Sequence, residues 1–203
     1  MQAPPTDPIR SRIFDGLTAE ERQAWLRAAR PRDYVRGTIV ARQGDLATDL
    51  YLVESGFLKV VQGTADGQEL IVRFVGPGEP FGGVVALDGA TYPVTAIAVE
   101  PTRLLGWHVT TLKTLLERCP QVRGNIMREM AAHMTDALTR VRELSTARVG
   151  PRLAHALLRL VHQCGRDSGD GSIVLLHSLT RQELAELTGT TIYTVSRTLS
   201  QWT

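Results

Sequence analysis

Met127-Arg-Glu-Met130-Ala-Ala-His-Met134-Thr-Asp-Ala137-Leu-Thr-Arg-Val141-Arg-Glu-Leu144 is the stretch that decides how the rest of the 203-residue chain is read. Met127, Met130, Met134, Ala137, Val141 and Leu144 fall at alternating steps of three and four, the a/d seam of a coiled coil. Arg123, Arg128, Glu129, Asp136, Arg140, Arg142 and Glu143 fill the positions between, so the apolar stripe is narrow, as it is when two helices pair along one line. The spacing predicts a helix over 120–144 with those six residues as a homodimer interface. A core helix of a monomer is the alternative, but a β-rich segment before it and short helices after it favour a spine between two domains.

Composition sets wide bounds. An apolar fraction of 43% is ample for a packed core, and a net charge of +2 is too mild to argue for nucleic acid by itself. Lys59 and Lys113 are the only lysines, so nearly all the basic residues are arginines. Cys119 and Cys164 are far apart with no Cys-x-x-Cys between them, which supports neither a disulfide framework nor a cysteine-ligated metal. Residues 1–7 lack the apolar core of a signal peptide, and no apolar run reaches the roughly 18 residues of a membrane span. A cytoplasmic protein without membrane contact is expected.

Outward from the spine, Thr18 with Glu21 caps a short helix over 19–29 whose apolar face is Leu17, Trp25, Leu26 and Ala29. Short β-branched runs follow at 38–41, 50–53, 58–61, 70–74, 94–99 and 103–107, with glycines between them, and predict an antiparallel barrel or jelly roll. Asp66-Gly67 between two of these runs is a hairpin signal. After a break at 148–150, Leu153, Ala156, Leu157, Leu160, Val161 and Cys164 recur at helical spacing. Gly165 and the loop 166–171 end that helix, and 173–176 reads as a short buried strand. His155 and His162 lie on this helix without a third ligand and are expected to be structural.

Thr180 and Glu183 form a second capping box, with Leu179 and Leu184 as its hydrophobic staple. Gly189 supplies a tight turn, and Thr191 caps a second helix running through Trp202. Val195, Leu199 and Trp202 are expected to face the core of this helix-turn-helix, while Tyr193, Ser196, Arg197 and Ser200 point outward. The donor fork of an exposed arginine matches O6 and N7 of guanine, so Arg197 is the leading base reader.

At Arg42-Gln43-Gly44-Asp45, at residues 50–60 (LYLVESGFLKV) and at Gly76-Pro77-Gly78-Glu79-Pro80-Phe81-Gly82, the chain resembles the cyclic-nucleotide-binding domain of the CRP/FNR transcription regulators. Residues 179–199, including Thr194-Val195-Ser196-Arg197, are similar to that family's helix-turn-helix. The resemblance implies an α+β protein: a β-roll sensor over 1–118, a dimerisation helix over 119–147, and a DNA-binding domain of winged-helix type over 148–203. The family's wing would follow Thr203, so a DNA domain lacking it, by truncation or natural variation, is expected. The resemblance further implies that Thr180, Arg181, Gln182, Thr191 and Thr194 meet phosphates while Ser196 and Arg197 meet bases. Tyr193 departs from the glutamate common at its position, which puts the operator sequence in doubt. Double-stranded DNA, a second copy of the chain, RNA polymerase and a small-molecule effector are the implied partners.

The effector pocket of that family lies between roll and spine, here at Gly82, Gly83, Val94, Thr95 and Met130. Cyclic-AMP-binding members hold the phosphate and ribose with a glutamate and an arginine whose counterparts here are Gly83 and Pro93, so cyclic AMP is not expected to be the effector. Gly82-Gly83 could offer backbone N–H groups to an anion, or be no more than a tight turn. The branch resembled by residues 92–96 includes oxygen-responsive and nitric-oxide-responsive members, but no cysteine precedes Cys119 for an iron–sulfur cluster. A haem-dependent sensor with His108 or His133 as axial ligand is one alternative, and an interaction module that does not read DNA is another. No P-loop, nucleophile elbow or metal-ligand set supports an enzyme.

Overall fold

The computed structural model describes residues 10–63, 69–175 and 178–202. A 3-10 turn (Arg12–Phe14) precedes helix α1 (Ala19–Ala28), whose Thr18–Glu21 capping box forms as the sequence predicts. Strands β1 (Arg30–Tyr34), β2 (Ile39–Ala41), β3 (Asp49–Ser55), β4 (Leu58–Gly63), β5 (Glu69–Val75) and β6 (Pro80–Phe81) lead into the short helix α2 (Gly83–Asp88). Strands β7 (Thr95–Ala98) and β8 (Thr102–His108) complete two four-stranded antiparallel sheets, ordered β1-β8-β3-β6 and β2-β7-β4-β5. The expected β-roll is thus present. Strand β1, absent from the sequence reading, carries the charged run Arg30-Pro-Arg-Asp-Tyr34, which masks its pairing with β8. The Asp66-Gly67 turn lies outside the described residues, although β4 and β5 pair antiparallel on either side of it.

Helix α3 (Val109–Arg118), also absent from the sequence reading, turns the chain into the spine, α4 (Pro120–Thr146). Pro120 sits at the first helical position, where its missing N–H costs nothing. The principal core lies where the roll meets the start of this helix. Phe14, Trp25 and Trp107 meet edge-to-face with centroids 5.8–6.4 Å apart, packed with Ile13, Leu112, Leu116, Val122 and Ile126. Trp107 Nε1 donates to the Trp25 carbonyl at 2.9 Å, which locks α1 onto β8.

Helices α5 (Val149–Cys164), α6 (Arg181–Thr188) and α7 (Ile192–Ser200) follow. Two expectations fail in this part of the chain. Residues read as a loop form β9 (Gly165–Asp167), paired with β10 (Ile173–Leu175), and Ile173 and Val174 are each 54% exposed, so β10 is a surface hairpin strand, not a buried one. Trp202 is 50% exposed beyond the end of α7 because the buried face of that helix stops at Val195 and Leu199. The small helical unit does not stand apart: Leu153, Leu160, Leu184, Leu187 and Val195 share one apolar cluster with Phe57, Val61, Ile71 and Phe74 of the roll.

Candidate nucleic-acid interface and effector pocket

Local chemistry builds the DNA-facing unit. Thr180 Oγ1 accepts from Glu183 N while the Thr180 N–H donates to Glu183 Oε2 at 2.8 Å, so α6 begins with both orphan donors satisfied. Gly189 adopts φ 59°, the left-handed conformation that ends α6, and Thr191 Oγ1 then accepts from Thr194 N to start α7. On α7, Val195 is fully buried, whereas Tyr193 is 73% exposed and Arg197 is exposed. The Arg197 guanidinium lies 5.9 Å from the Tyr193 ring centroid, a cation–π contact one helical turn apart. Thr180, Arg181, Gln182 and Thr191 are exposed; Thr194 is half-buried, and so is Ser196, which was expected to point outward. Gln182 donates to Glu186 at 2.8 Å. Six of the eight residues expected to meet DNA are thus exposed on α6, α7 and their caps, and two are half-buried.

The spine divides in two. Val122, Asn125 and Ile126 are buried, and Asn125 Nδ2 donates to the carbonyls of Ile13 and Asp15 at 3.0 and 2.9 Å. Beyond them, Met127, Met130, Met134, Ala137, Val141 and Leu144 are all exposed. Leu138, 63% exposed, joins that stripe. The sequence reading passed over it because its alternating steps landed on Ala137; the parallel track 127, 131, 134, 138, 141 would have found it.

Only part of the expected effector pocket assembles. A cavity of about 60 Å³ is lined by Gly82, Gly83, Met130, Leu50, Phe81 and His133, among others, but not by Val94 or Thr95. Val94 packs into the core between the sheets, and Thr95 Oγ1 accepts from Gln43 N, so both belong to the roll's own structure. The glycine pair also has a structural cause. Gly82 has φ 84°, and a Cβ on Gly83 would stand 2.6 Å from Leu50 Cδ1. Glu129 is the carboxylate among the described residues that line this cavity, and Arg73 stands behind its wall, bonded to the lining residues His133 and Pro80.

His133 Nε2 faces the Arg73 guanidinium in a short hydrogen bond, and burial, then the Arg73 charge, pull its pKa down to about 4. His108 caps α3, its Nδ1 accepting from Thr110 N. His155 pairs with Glu143 at 3.0 Å, a structural role as expected.

Sequence reasoning missed Arg140. Its Nη1 donates to the Val72 carbonyl of β5, and its Nη2 to Ile71 of β5 at 2.9 Å and Leu187 of α6 at 3.0 Å. One side chain of the spine thus holds the roll and the helix-turn-helix together. Main-chain carbonyls are its partners, so no residue pattern announces the contact.

Comparison with known proteins agrees with this architecture. Residues 31–119 match the cyclic nucleotide-binding domain family, and residues 151–203 match the Crp-like helix-turn-helix domain family. The cyclic AMP receptor protein of Thermus thermophilus is 36% identical over 93% of this chain and 84% of its own length. The transcriptional activator protein anr of Pseudomonas aeruginosa is 31% identical over 85% of this chain and 70% of its own. The c-di-GMP responsive global regulator CLP of Xanthomonas campestris, 23% identical over 91% of each chain with a TM-score of 0.76, shares the fold. With a nucleotide-domain roll, a long helix and a capped helix-turn-helix in this order, and relatives at this identity over most of the chain, the protein belongs to the CRP/FNR family of transcriptional regulators with a helix-turn-helix DNA-binding domain.

Proposed function

We propose that two copies pair through the exposed seam of α4 and present their α7 helices to the two half-sites of a pseudo-palindromic duplex, about 34 to 36 Å apart. The observation that carries this reading is α7 itself, with its back packed at Val195 and its front of Tyr193 and Arg197 in solvent. Arg197 and Ser196 read base edges, and Tyr193 packs on a thymine methyl or reaches a phosphate. Thr180, Arg181, Gln182, Thr191 and Thr194 hold the backbone. The chain divides at 1–118, 119–147 and 148–203 into sensor, dimer helix and DNA reader. It works in the cytoplasm with RNA polymerase as a further partner and has no catalytic role.

An effector acts through the spine. Because Arg140 bonds both β5 and α6, a ligand that shifts α4 against the roll also shifts the helix-turn-helix. Cyclic AMP is not that effector in this reading: Gly83 and Pro93 stand where cyclic-AMP-binding members carry their glutamate and arginine, and Glu129 lines the cavity beside Gly82 and Gly83. Fluorescence anisotropy on duplexes with two half-sites tests the reading. Affinity is expected to fall steeply with salt and to depend on half-site spacing, and to be unchanged by cyclic AMP. Binding indifferent to spacing would overturn the two-fold model, and a cyclic AMP response would overturn the effector argument.

A further inference from the structure

A second cavity lies where β5, α4, α5 and α6 meet and encloses about 120 Å³. One water needs about 10–15 Å³ of such volume, so the cavity has space for several waters or for a tetrahedral oxyanion. Arg73 comes from the roll, Arg140 from the spine, and Arg159 and Gln163 from the first helix after it. His133, shared with the cavity beside Gly83, lines it as well.

The charges around it are not fully matched. Arg73 lies 3.9 Å from Glu79, and Arg159 Nη1 donates to both Glu143 oxygens at 2.9 Å. Arg140 forms no ion pair among the described residues; its hydrogen bonds go to carbonyls. Burial first, and the neighbouring Arg159 charge second, make its cationic form less favourable, opposed by Glu143. Asp136 also lines the cavity but is itself exposed. Arg140 is half-buried, and its described hydrogen bonds all go to neutral carbonyls, so an anion in the cavity would give its charge a direct partner that Glu143 does not supply.

We propose that this cavity binds a compact phosphate-bearing anion, either free phosphate or the phosphate of a small phosphomonoester. Guanidiniums approach from three elements, and a tetrahedral oxyanion accepts from several directions, whereas a planar carboxylate is filled by a single fork. Arg159 uses only Nη1 in its described hydrogen bonds, so Nε and Nη2 remain for the ligand. The inference deepens the regulator reading, since the ligand would touch sensor, spine and DNA domain together.

The test is ³¹P line broadening of inorganic phosphate by the full-length chain at pH 7 and constant ionic strength, repeated with glycerol phosphate as competitor. Wild type should broaden the signal saturably, and Arg159→Gln and Arg140→Met should weaken binding at least about tenfold, while Arg36→Gln, on the exposed surface, leaves it unchanged. Competition by glycerol phosphate below the inorganic phosphate affinity constant identifies a phosphomonoester site; weaker competition identifies free phosphate. No saturable broadening by wild type overturns the proposal. So does equal binding by the Arg36 and Arg159 variants, a comparison that survives even where Arg140→Met does not fold. Phosphate binding is read without DNA, so its failure leaves the operator measurements standing, and their failure leaves the site standing.

Discussion

The two halves of α4 are built from the same residue classes at the same helical spacing, yet they end in opposite environments. Val122 and Ile126 are buried against Ile13, Phe14 and Trp107, and Asn125 is tied to the N-terminal segment. Met127, Met134, Leu138 and Val141, on the same helix, are 57–67% exposed. Apolar periodicity says that a face will be covered but not by what. The first half finds its cover within the chain; the second has none there, which is why its partner is sought in a second copy.

The comparison breaks most visibly at Ile126. Ile126→Ala should cost about 2–5 kcal/mol of stability by urea unfolding, because it opens a hole in the core, while sedimentation velocity shows the same oligomer as wild type. Met134→Glu should do the reverse: on the order of 2–3 kcal/mol lost from self-association, read as a shift toward monomer in sedimentation, with the circular dichroism of the subunit unchanged. A seam substitution that unfolds the subunit instead would show that the exposed half is core.

The same contrast between a packed back and a working front holds on α7. Arg197→Ala should cost roughly 1–3 kcal/mol on a cognate duplex with no change in unfolding midpoint, and an equal loss on random DNA would make Arg197 a phosphate contact only. Thr191→Ala removes the cap that accepts from Thr194 N and should cost about 1 kcal/mol of stability.

The smallest expected effect is a pH dependence at the junction between the halves. His133 titrates near 4 in the fold, pulled down by burial and by Arg73 and partly held up by Asp136, against an ordinary 6.5 when unfolded. The unfolded chain therefore takes up the proton first, and stability falls as pH drops from about 6.5 toward 4, its contribution being fully present above that window. Urea midpoints between pH 7 and pH 5 should decline in wild type and less so in His133→Gln.

Local signals in the chain were legible wherever a few neighbouring residues decide the outcome. The capping boxes at Thr18 and Thr180, the turn at Gly189 and the cap at Thr191 form as read, because each is a hydrogen bond between residues three or so apart. The alternating β pattern and the seam likewise depend only on period. The misses involve partners far away in sequence. Strand β1 is held by β8 about seventy residues on, and in β10 Leu175 packs beside α5 while Ile173 and Val174 lie exposed. Val94 and Thr95 turned from the pocket into the roll's own packing.

The sequence by itself determined the order of roll, spine and helix-turn-helix, the caps at Thr18, Thr180 and Thr191, and the buried Val195 and exposed Tyr193 and Arg197 of α7, since period and capping are local properties of a chain. Only the tertiary structure decided that Gly83 is there to clear Leu50, that Arg140 ties the spine to both neighbours, and that Arg73, Arg140 and Arg159 gather around the second cavity. Those outcomes are set by main-chain carbonyls and close approaches between distant segments, which carry no side-chain identity and so leave no mark in a sequence.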